Sequence, residues 1–216
     1  KIDIETANSF SSFLGKIGFK KTIKEKNLLY NENLLKLQGN EYVKGYFQTE
    51  KYFQDIRVIL LQQFTPNFEL SKTTKEIENA IKNKTVTCSL HVRRGDYISD
   101  KSANNVHGTC NIDYYKKAIN YISSKYKEVF FYVFSDDINW VKKNLKIDNV
   151  CFVDHKCLPH EDMYLMSLCT HNITANSSFS WWGAWLNNNK NKTVVAPKKW
   201  FVQKENEVAC QNWIKI

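Results

Sequence analysis

Residues 85–97, "TVTCSLHVRRGDY", contain a short apolar stretch that ends in two adjacent arginines. The segment 85–92 is rich in β-branched residues and too short for a typical helix, so it predicts a buried β-strand. Arg93 and Arg94 follow it directly, and both guanidinium groups carry a permanent charge. Two interpretations stay open: a solvent-exposed ion pair at a strand end, or a clamp for an anion such as phosphate.

Similar short runs recur through the C-terminal part of the chain. The predicted strands are 85–92, 129–135, 150–154, 171–176 and 193–197, and the helix-like segments between them are 113–127, 137–146, 160–170 and 180–189. Asp113 and Asp137 stand at the expected helix N-caps. Strands that alternate strictly with helices predict an α/β fold, with a parallel sheet and helices on both faces.

The domain organisation changes near residue 80. Residues 1–80 are predicted to be mostly helical, because 52–64 and 74–83 have amphipathic spacing. Residues 81–216 are predicted to form a complete α/β domain, and a chain of 216 residues is long enough for both parts.

Composition narrows the possible partners. The chain is 43% hydrophobic and carries a net charge of +9, so it is globular and attracts anions. The lysines are scattered, and no nucleic-acid-binding motif is present, so nucleic acid is not predicted as a partner. Six cysteines without C-x-x-C spacing favour a reducing compartment. With no apolar run of membrane-spanning length and no signal-peptide pattern, the expected location is cytoplasmic.

Four predicted strands end in polar residues at the same edge of the sheet. These residues are Arg93 and Arg94, Asp136 and Asp137, Asp154, and Asn176, Ser177 and Ser178. Ligands of such sheets bind beyond the carboxyl ends of the strands, so this edge is the predicted site. Because side chains alternate along a strand, Arg93 and Arg94 are expected to point in different directions, one into the crevice and one into an internal pair, for which Asp96 is a candidate partner.

The segment "YVFSDD" (132–137) offers two carboxylates. One is expected to cap the next helix, and the other could accept hydrogen bonds from a guanine edge. A metal site needs carboxylates from several elements, and arginines already neutralise phosphate, so no metal is predicted.

The segment "ANSSFSWWGAWLN" (175–187) predicts a helix that begins near Phe179 or Ser180 and is preceded by serines. Such a helix start can bind an anion, although ordinary serine capping is the alternative. Trp181 and Trp185 share one helix face and are predicted to be core residues. Asp162 could cap its own helix or reach the edge of the sheet. His171 is expected to be structural, whereas His91 shares its strand end with the arginines.

Several segments together resemble the alpha-1,2-fucosyltransferases, inverting enzymes that use GDP-fucose. They are "HVRRGDY" (91–97), "FSDD" (134–137), "DMYLMSLCTHNITANSSFSWWGAWLN" (162–187), "APKKWF" (196–201) and "GYFQTEKYF" (45–53). The resemblance implies a GT-B-like fold of two Rossmann-like domains, with the donor held by the C-terminal one.

The resemblance also implies roles for individual residues. Arg93 would contact the β-phosphate of GDP, and His91 and one of Asp136 and Asp137 would hold guanosine. Ser177, Ser178 and Phe179 would line the phosphate–fucose region. Arg94 and Asn176 complete the predicted donor-binding set.

The implied reaction moves L-fucose from GDP-fucose to the 2-hydroxyl of a terminal galactoside, with inversion and without a cofactor or metal. Arg93 would stabilise the leaving diphosphate. Asp96 is the first candidate for a general base, with Asp100 and His107 behind it. The expected partners are GDP-fucose and a galactoside-terminated oligosaccharide, with peripheral association to the inner membrane as a further possibility.

One feature departs from the family pattern. A glycine-rich "GGLGNQ"-like loop is usual near the N-terminus of family members and does not occur in this sequence, so the N-terminal domain is expected to lack its first strand. Two alternatives therefore stay open. One is a non-catalytic glycan- or nucleotide-binding protein derived from a truncated transferase, and the other is a transferase that uses another GDP-sugar.

Overall fold

The computed structural model describes residues 22–25, 27–37, 41–67, 69–154, 158–203 and 205–216, with all their side chains except those of Asp96 and Ala103. The described chain forms two compact units. The first contains the described residues up to Phe64 and residues 205–210, and the second contains those of 65–203 and 211–216. The boundary predicted after residue 80 falls inside the second unit.

A pair of short parallel strands organises the first unit, in a region that was predicted to be mostly helical. Strand β1 (Thr22–Lys24) pairs with β2 (Tyr42–Lys44), and the sequence predicted neither strand. The described helical segments of this unit are the 3-10 turns Glu32–Leu34, Glu50–Tyr52 and Gln54–Ile56, and helix α1 (Arg57–Gln63). The helix predicted over 52–64 is therefore α-helical only from Arg57 onward.

Glu25 connects the ends of these two strands. Its Oε2 accepts a hydrogen bond from the backbone N–H of Tyr46 at 2.7 Å. A Cβ on Gly45 would lie 2.5 Å from the Cβ of Glu25, so this close approach requires glycine.

The described part of the second unit is built on a parallel sheet of six strands. They lie in the order β5-β4-β3-β6-β7-β8. Their bounds are β3 Thr87–Val92, β4 Phe130–Ser135, β5 Val150–Phe152, β6 His171–Ile173, β7 Val194–Ala196 and β8 Ile214–Lys215. The predicted parallel α/β sheet is confirmed, and β8 is the strand of this sheet that the sequence did not predict.

Helices connect these strands and cover the sheet. Their bounds are α2 Lys72–Lys82, α3 Gly95–Ser99, α4 Lys101–His107, α5 Ile112–Lys125, α6 Ile138–Asn144, α7 Pro159–Leu168 and α8 Ser178–Leu186. Asp137 caps α6 as predicted, through a hydrogen bond to its Oδ1 from the N–H of Trp140 at 3.1 Å. The cap predicted at Asp113 is wrong, because Asn111 accepts the bond from the N–H of Tyr114 at 2.8 Å.

Alternating side chains of the central strands build two separate apolar layers. Phe131 and Val133 of β4 pack on the side of α5 and α6. Tyr132 and Phe134 pack on the opposite side, against α2 and α7. The helices therefore cover both faces of the sheet, as alternating strand and helix segments predict.

The described cysteines are all free thiols; they are Cys88, Cys110, Cys151, Cys169 and Cys210. Burial raises the pKa of Cys169 to about 12, so this thiol stays protonated and packs as a small apolar group. No helix in the described ranges is long and apolar enough to cross a bilayer.

Candidate functional site

The order of the strands locates a crevice at the carboxyl edge of the sheet. Strand β3 has β4 on one side and β6 on the other, and the chain reaches β6 only after it has formed β4 and β5. The connections leave β3 and β6 in opposite directions, which opens a ligand crevice between their carboxyl ends. Residues that follow β3 and β6 therefore line the candidate site.

Arg93 lies at this edge with its guanidinium partly exposed. Its Nη1 is 3.1 Å from Oδ2 of Asp136, and 35% of its side chain is accessible. Its guanidinium carbon lies 5.8 Å from the centre of the Tyr97 ring. Arg93 is thus held in position without being withdrawn into the core.

Arg94 points to the opposite face of the sheet. Its Nε lies 3.3 Å from Oδ2 of Asp137, and only 19% of its side chain is accessible. The guanidinium stacks on Trp140 of α6 at 3.9 Å from the ring centre. The two arginines diverge as predicted, and the carboxylate that pairs with Arg94 is Asp137.

Asp136 contacts both arginines. Its Oδ1 accepts the backbone N–H of Arg94 at 2.9 Å, while its Oδ2 pairs with Arg93. A Cβ on Gly95 would lie 2.7 Å from Oδ2, so glycine lets the carboxylate approach the strand end. Asp136 and Asp137 therefore each form an ion pair with one arginine in the described structure. Their predicted contact with guanosine stays a prediction.

His91 contributes a buried imidazole to the crevice. It is 5% exposed, and its ring centre lies 5.5 Å from that of Phe179 at the start of α8. Burial, together with the charge of Arg93, lowers the pKa of His91 to about 3, so the ring is neutral. Its Nδ1 is buried and has no hydrogen-bond partner among the described residues.

Asp162 supplies a second buried polar atom without a partner, because its Oδ1 has none in the described chain. Burial and the charge of Glu161 raise its pKa to about 6. Helices α7 and α8 run in the same direction from the carboxyl edge, and Met166 packs against Gly183. Asp162 lies one turn before Met166, and Phe179 lies one turn before Gly183, so the packing of the two helices brings Asp162 close to Phe179. Because Phe179 contacts His91, we infer that Asp162 lies on the same face of the sheet as His91.

The serines predicted to bind an anion stand at the start of α8. Ser177 occupies the N-cap position with an extended backbone, but its side chain makes no capping hydrogen bond. Ser178 is exposed and Ser177 is buried. Ordinary serine capping, the alternative interpretation, is therefore not what Ser177 does here.

The side chain of Asn176 connects several segments at the carboxyl edge of the sheet through hydrogen bonds. Its Nδ2 donates to the carbonyl oxygens of His107, Gly108 and Trp200 at 2.9, 3.1 and 3.3 Å. The backbone carbonyl of Asn176 accepts a hydrogen bond from the hydroxyl of Tyr97 at 3.2 Å. The amide is thus used within the protein, and its predicted donor contact stays a prediction.

The candidates for a general base have different surroundings. The side chain of Asp96 lies outside the described residues, although its backbone is part of α3. Asp100 accepts from the N–H of Ser102 at 2.7 Å, at the start of α4. His107 stacks on Tyr97, with 5.0 Å between ring centres. Asp100 therefore has a local structural role.

Two structural assignments made from the sequence are confirmed. Nδ1 of His171 accepts from the N–H of Thr193 at 3.0 Å, and the ring stacks on Tyr126. Trp181 and Trp185 are 5% and 2% exposed and stack on each other in the core.

The fold and site define a class: a doubly wound α/β protein with a crevice that contains a partly exposed arginine, at the switch point of its parallel sheet. The chain belongs to Glycosyl transferase family 11, whose model matches residues 28–216. It is 37% identical over 188 residues to an alpha-1,2-colitosyltransferase of Escherichia coli, covering 83% of this chain and 64% of the relative.

Two further relatives have related names. The O-antigen biosynthesis glycosyltransferase WbnK of Escherichia coli is 35% identical over 196 residues, which cover 86% of this chain and 64% of WbnK. Galactoside 2-alpha-L-fucosyltransferase SEC1 of Bos taurus is 25% identical over 159 residues, 68% of this chain and 42% of SEC1. The chain thus spans less than two thirds of the length of these relatives.

Proposed function

We propose that the second unit binds a GDP-sugar and that the protein transfers the sugar, L-fucose in the first instance, to the 2-hydroxyl of a terminal galactoside. The observation that carries the proposal is a pair of buried atoms without a hydrogen-bond partner among the described residues: Nδ1 of His91, whose ring contacts Phe179 of α8, and Oδ1 of Asp162 on the adjacent helix α7. Buried polar groups in proteins normally have partners, so two such atoms in one crevice favour a polar ligand.

Guanine fits the chemistry of these two groups. An ionised carboxylate accepts two hydrogen bonds side by side, and guanine presents N1–H and N2–H in that arrangement, whereas adenine and uracil do not. We therefore assign base recognition to Asp162, with His91 beside it, in place of Asp136 or Asp137. The arginine pairs of those two carboxylates support this reassignment.

The diphosphate is assigned to Arg93 and the start of α8. Arg93 is held at the strand end next to His91, and the first backbone N–H groups of α8 follow Ser177 at the other side of the crevice. A fixed cation and a helix start both favour negative charge. Ser178 and Phe179 then border the sugar.

The reaction is a single displacement with inversion. The oxygen of the acceptor 2-hydroxyl attacks the anomeric carbon, the bond from that carbon to the β-phosphate oxygen breaks, and GDP leaves with the electron pair. Arg93 stabilises the charge that develops on the diphosphate. The hydroxyl proton passes to a base, for which Asp96 remains our candidate, and no metal takes part.

The two-domain GT-B arrangement belongs to the same proposal. In it the second unit holds the donor, and the N-terminal domain holds a galactoside-terminated oligosaccharide. The protein would work in the cytoplasm, with peripheral contact to the inner membrane.

A second donor is favoured by one comparison. The relative that is 37% identical is named a colitosyltransferase, and colitose is fucose without its 3-hydroxyl. GDP-colitose is therefore the alternative donor, and the ratio of kcat/KM for the two donors decides between them.

Thermal shift tests the binding step. GDP should raise the Tm of the protein more than ADP or UDP does at the same concentration, and Asp162→Asn should abolish this preference. Asp148→Asn removes the same charge from an exposed position and should leave the preference intact. Equal shifts for all three nucleotides would contradict guanine recognition.

A transfer assay tests the reaction. The protein that contains this chain is incubated with GDP-fucose and lactose, with and without a chelator, and the linkage of the product is determined. An α-1,2-linked product that forms equally in both samples supports the proposal. Nucleotide binding without any transfer or donor hydrolysis would favour the non-catalytic alternative.

A further inference from the structure

A basic cavity lies in the same unit, beside the candidate donor crevice. Its volume is about 490 Å³, and it is formed by the loop before α5, the start of α5 and the segment after β7. This last segment belongs to "APKKWF", a motif to which the proposed function gives no role.

Positive charge dominates the wall of this cavity. Its lining includes Lys117, Lys198 and Lys199, against Asp113 as the one carboxylate side chain. None of the three lysines forms an ion pair with a described residue, and all three are exposed. The 14-residue helix α5 begins here, and the positive end of its dipole adds to the field.

An aromatic layer separates this cavity from Arg93. Tyr97 packs between Arg93 and His107, and His107 in turn contacts Phe201 with 5.2 Å between ring centres. His107 and Phe201 line the cavity, whereas Tyr97 does not. The cavity is therefore a neighbour of the donor crevice. It shares the residue Asn176 with the predicted donor-binding set, but Arg93, His91 and Asp162 do not line it, and the Asn176 amide is bonded to carbonyls of the protein.

The cavity also has an apolar edge. Val202 lines it and is 50% exposed. Val106 is 40% exposed, and its carbonyl accepts from the N–H of Val202 at 3.1 Å. Two exposed valines beside unpaired ammonium groups suit a ligand that joins an anionic head to an apolar chain.

We propose that this cavity binds a phosphoryl group, and that its apolar edge favours a phosphate carried by a lipid. The charge of the lysines matches a phosphate, and the volume accommodates one or two phosphoryl groups with their hydration. The proposal concerns a site separate from the donor crevice and does not rest on the proposed transferase activity.

Pyrophosphate titration tests the phosphoryl site. The protein is first saturated with GDP, so that the donor crevice is filled, and pyrophosphate binding is then measured by calorimetry. We expect Lys198→Ala/Lys199→Ala to weaken pyrophosphate at least about tenfold, because two of the three cations are lost. The matched pair Lys143→Ala/Lys146→Ala removes the same charge from exposed positions elsewhere and should change binding less than about twofold.

Vesicle sedimentation tests the lipid source. The wild-type chain should bind phosphatidylcholine vesicles that contain phosphatidic acid and not vesicles of phosphatidylcholine alone. The Lys198/Lys199 variant should lose at least about tenfold in vesicle affinity, and the control pair much less. Pyrophosphate binding without vesicle binding would assign the site to a soluble phosphorylated ligand.

A comparison of the two lysine variants also shows which result would refute the proposed site. If both variants lose pyrophosphate and vesicle binding to the same small extent, general charge attraction explains the data and the site is refuted. All four lysines are exposed, so we expect unchanged Tm values that exclude misfolding. If GDP itself does not bind but the effect of Lys198 and Lys199 persists, the proposed function fails while this inference stands.

Discussion

Arg93 pairs with Asp136 across the ends of two neighbouring strands, with 3.1 Å between Nη1 and Oδ2. The same carboxylate accepts the backbone N–H of Arg94 at 2.9 Å. The side chain of Asp136, directly after β4, therefore fixes both the backbone and the guanidinium at the end of β3. An orientation set before the ligand arrives lowers the cost of ordering Arg93 on binding.

The two adjacent arginines should respond differently to truncation. Arg93→Ala should reduce kcat/KM on the order of 100-fold or more with little change in Tm, because its side chain is partly exposed and serves the diphosphate. Arg94→Ala should chiefly lower the free energy of unfolding, by about 1–2 kcal/mol, since it loses the stacking on Trp140. Steady-state kinetics and thermal unfolding measure the two effects. Near-normal turnover of Arg93→Ala would rule out its role at the leaving group.

The close approach at Gly95 predicts an energetic coupling. In Gly95→Ala the new Cβ would lie 2.7 Å from Oδ2 of Asp136, so the carboxylate must move and Arg93 loses its anchor. We expect GDP affinity to fall about tenfold, through the loss of one charged hydrogen bond. The GDP affinity of Asp136→Ala should fall by a similar factor, and that of the double variant Gly95→Ala/Asp136→Ala by little more. Fully additive losses in this cycle, measured by calorimetry, would show that the two residues act independently.

The sheet of the second unit was predictable because five of its six described strands have a local signal. The runs around β3 and β4 are β-branched or aromatic, and the strict alternation of strands and helices dictates parallel pairing. Strand β8 has two residues and gives no periodic signal. Helix α4 was missed because its segment "KSANNVH" (101–107) has no amphipathic pattern, and helix α3 was missed because its five residues are too few to show a helical period.

The site was predictable only where one strand determines the geometry. Alternation along β3 correctly separated Arg93 from Arg94. Which carboxylate pairs with which arginine depends on the register between β3 and β4, a long-range property that the sequence does not carry locally. The buried oxygen of Asp162 likewise depends on the packing of α8 against α7. The sequence placed Asp162 near the edge of the sheet but gave no reason to prefer it over Asp136.

Asp162→Asn should stabilise the free protein while it weakens GDP binding. The pKa of Asp162 is about 6 in the folded chain against an ordinary value of 3.8. The folded state thus binds this proton more tightly than the unfolded state does. The buried charge therefore lowers the free energy of unfolding by its full amount above pH 6, and this loss disappears as the pH falls toward 3.8. At pH 7 we expect a Tm about 2–6 °C above wild type and a GDP affinity on the order of 10- to 100-fold lower.

The pH dependence distinguishes this role from a structural one. The Tm difference between Asp162→Asn and wild type should shrink as the pH falls below 6. GDP affinity of the wild type should fall over the same interval, because the protonated carboxyl no longer accepts both guanine donors. A GDP affinity that does not change between pH 7 and pH 5, measured by calorimetry, would contradict the assignment.

Glu161 should be important for stability and, after burial, should also contribute to the raised pKa of its neighbour Asp162. It is 2% exposed, and its carboxylate accepts from the backbone N–H of Ser71 at 2.7 Å and from the hydroxyl of Thr74 at 3.0 Å, which fastens the start of α2 to α7. Glu161→Ala leaves these buried donors without the carboxylate and should cost about 2–4 kcal/mol in urea unfolding.

Glu161→Gln keeps the volume but removes the charge that helps to raise the pKa of Asp162. The pH midpoint of GDP binding should therefore move below that of the wild type. Glu76→Gln, an exposed position on α2, is the matched control and should change neither the unfolding free energy nor the midpoint. If Glu161→Gln lowers stability but leaves the midpoint at its wild-type value, the titrating group in the crevice is not Asp162.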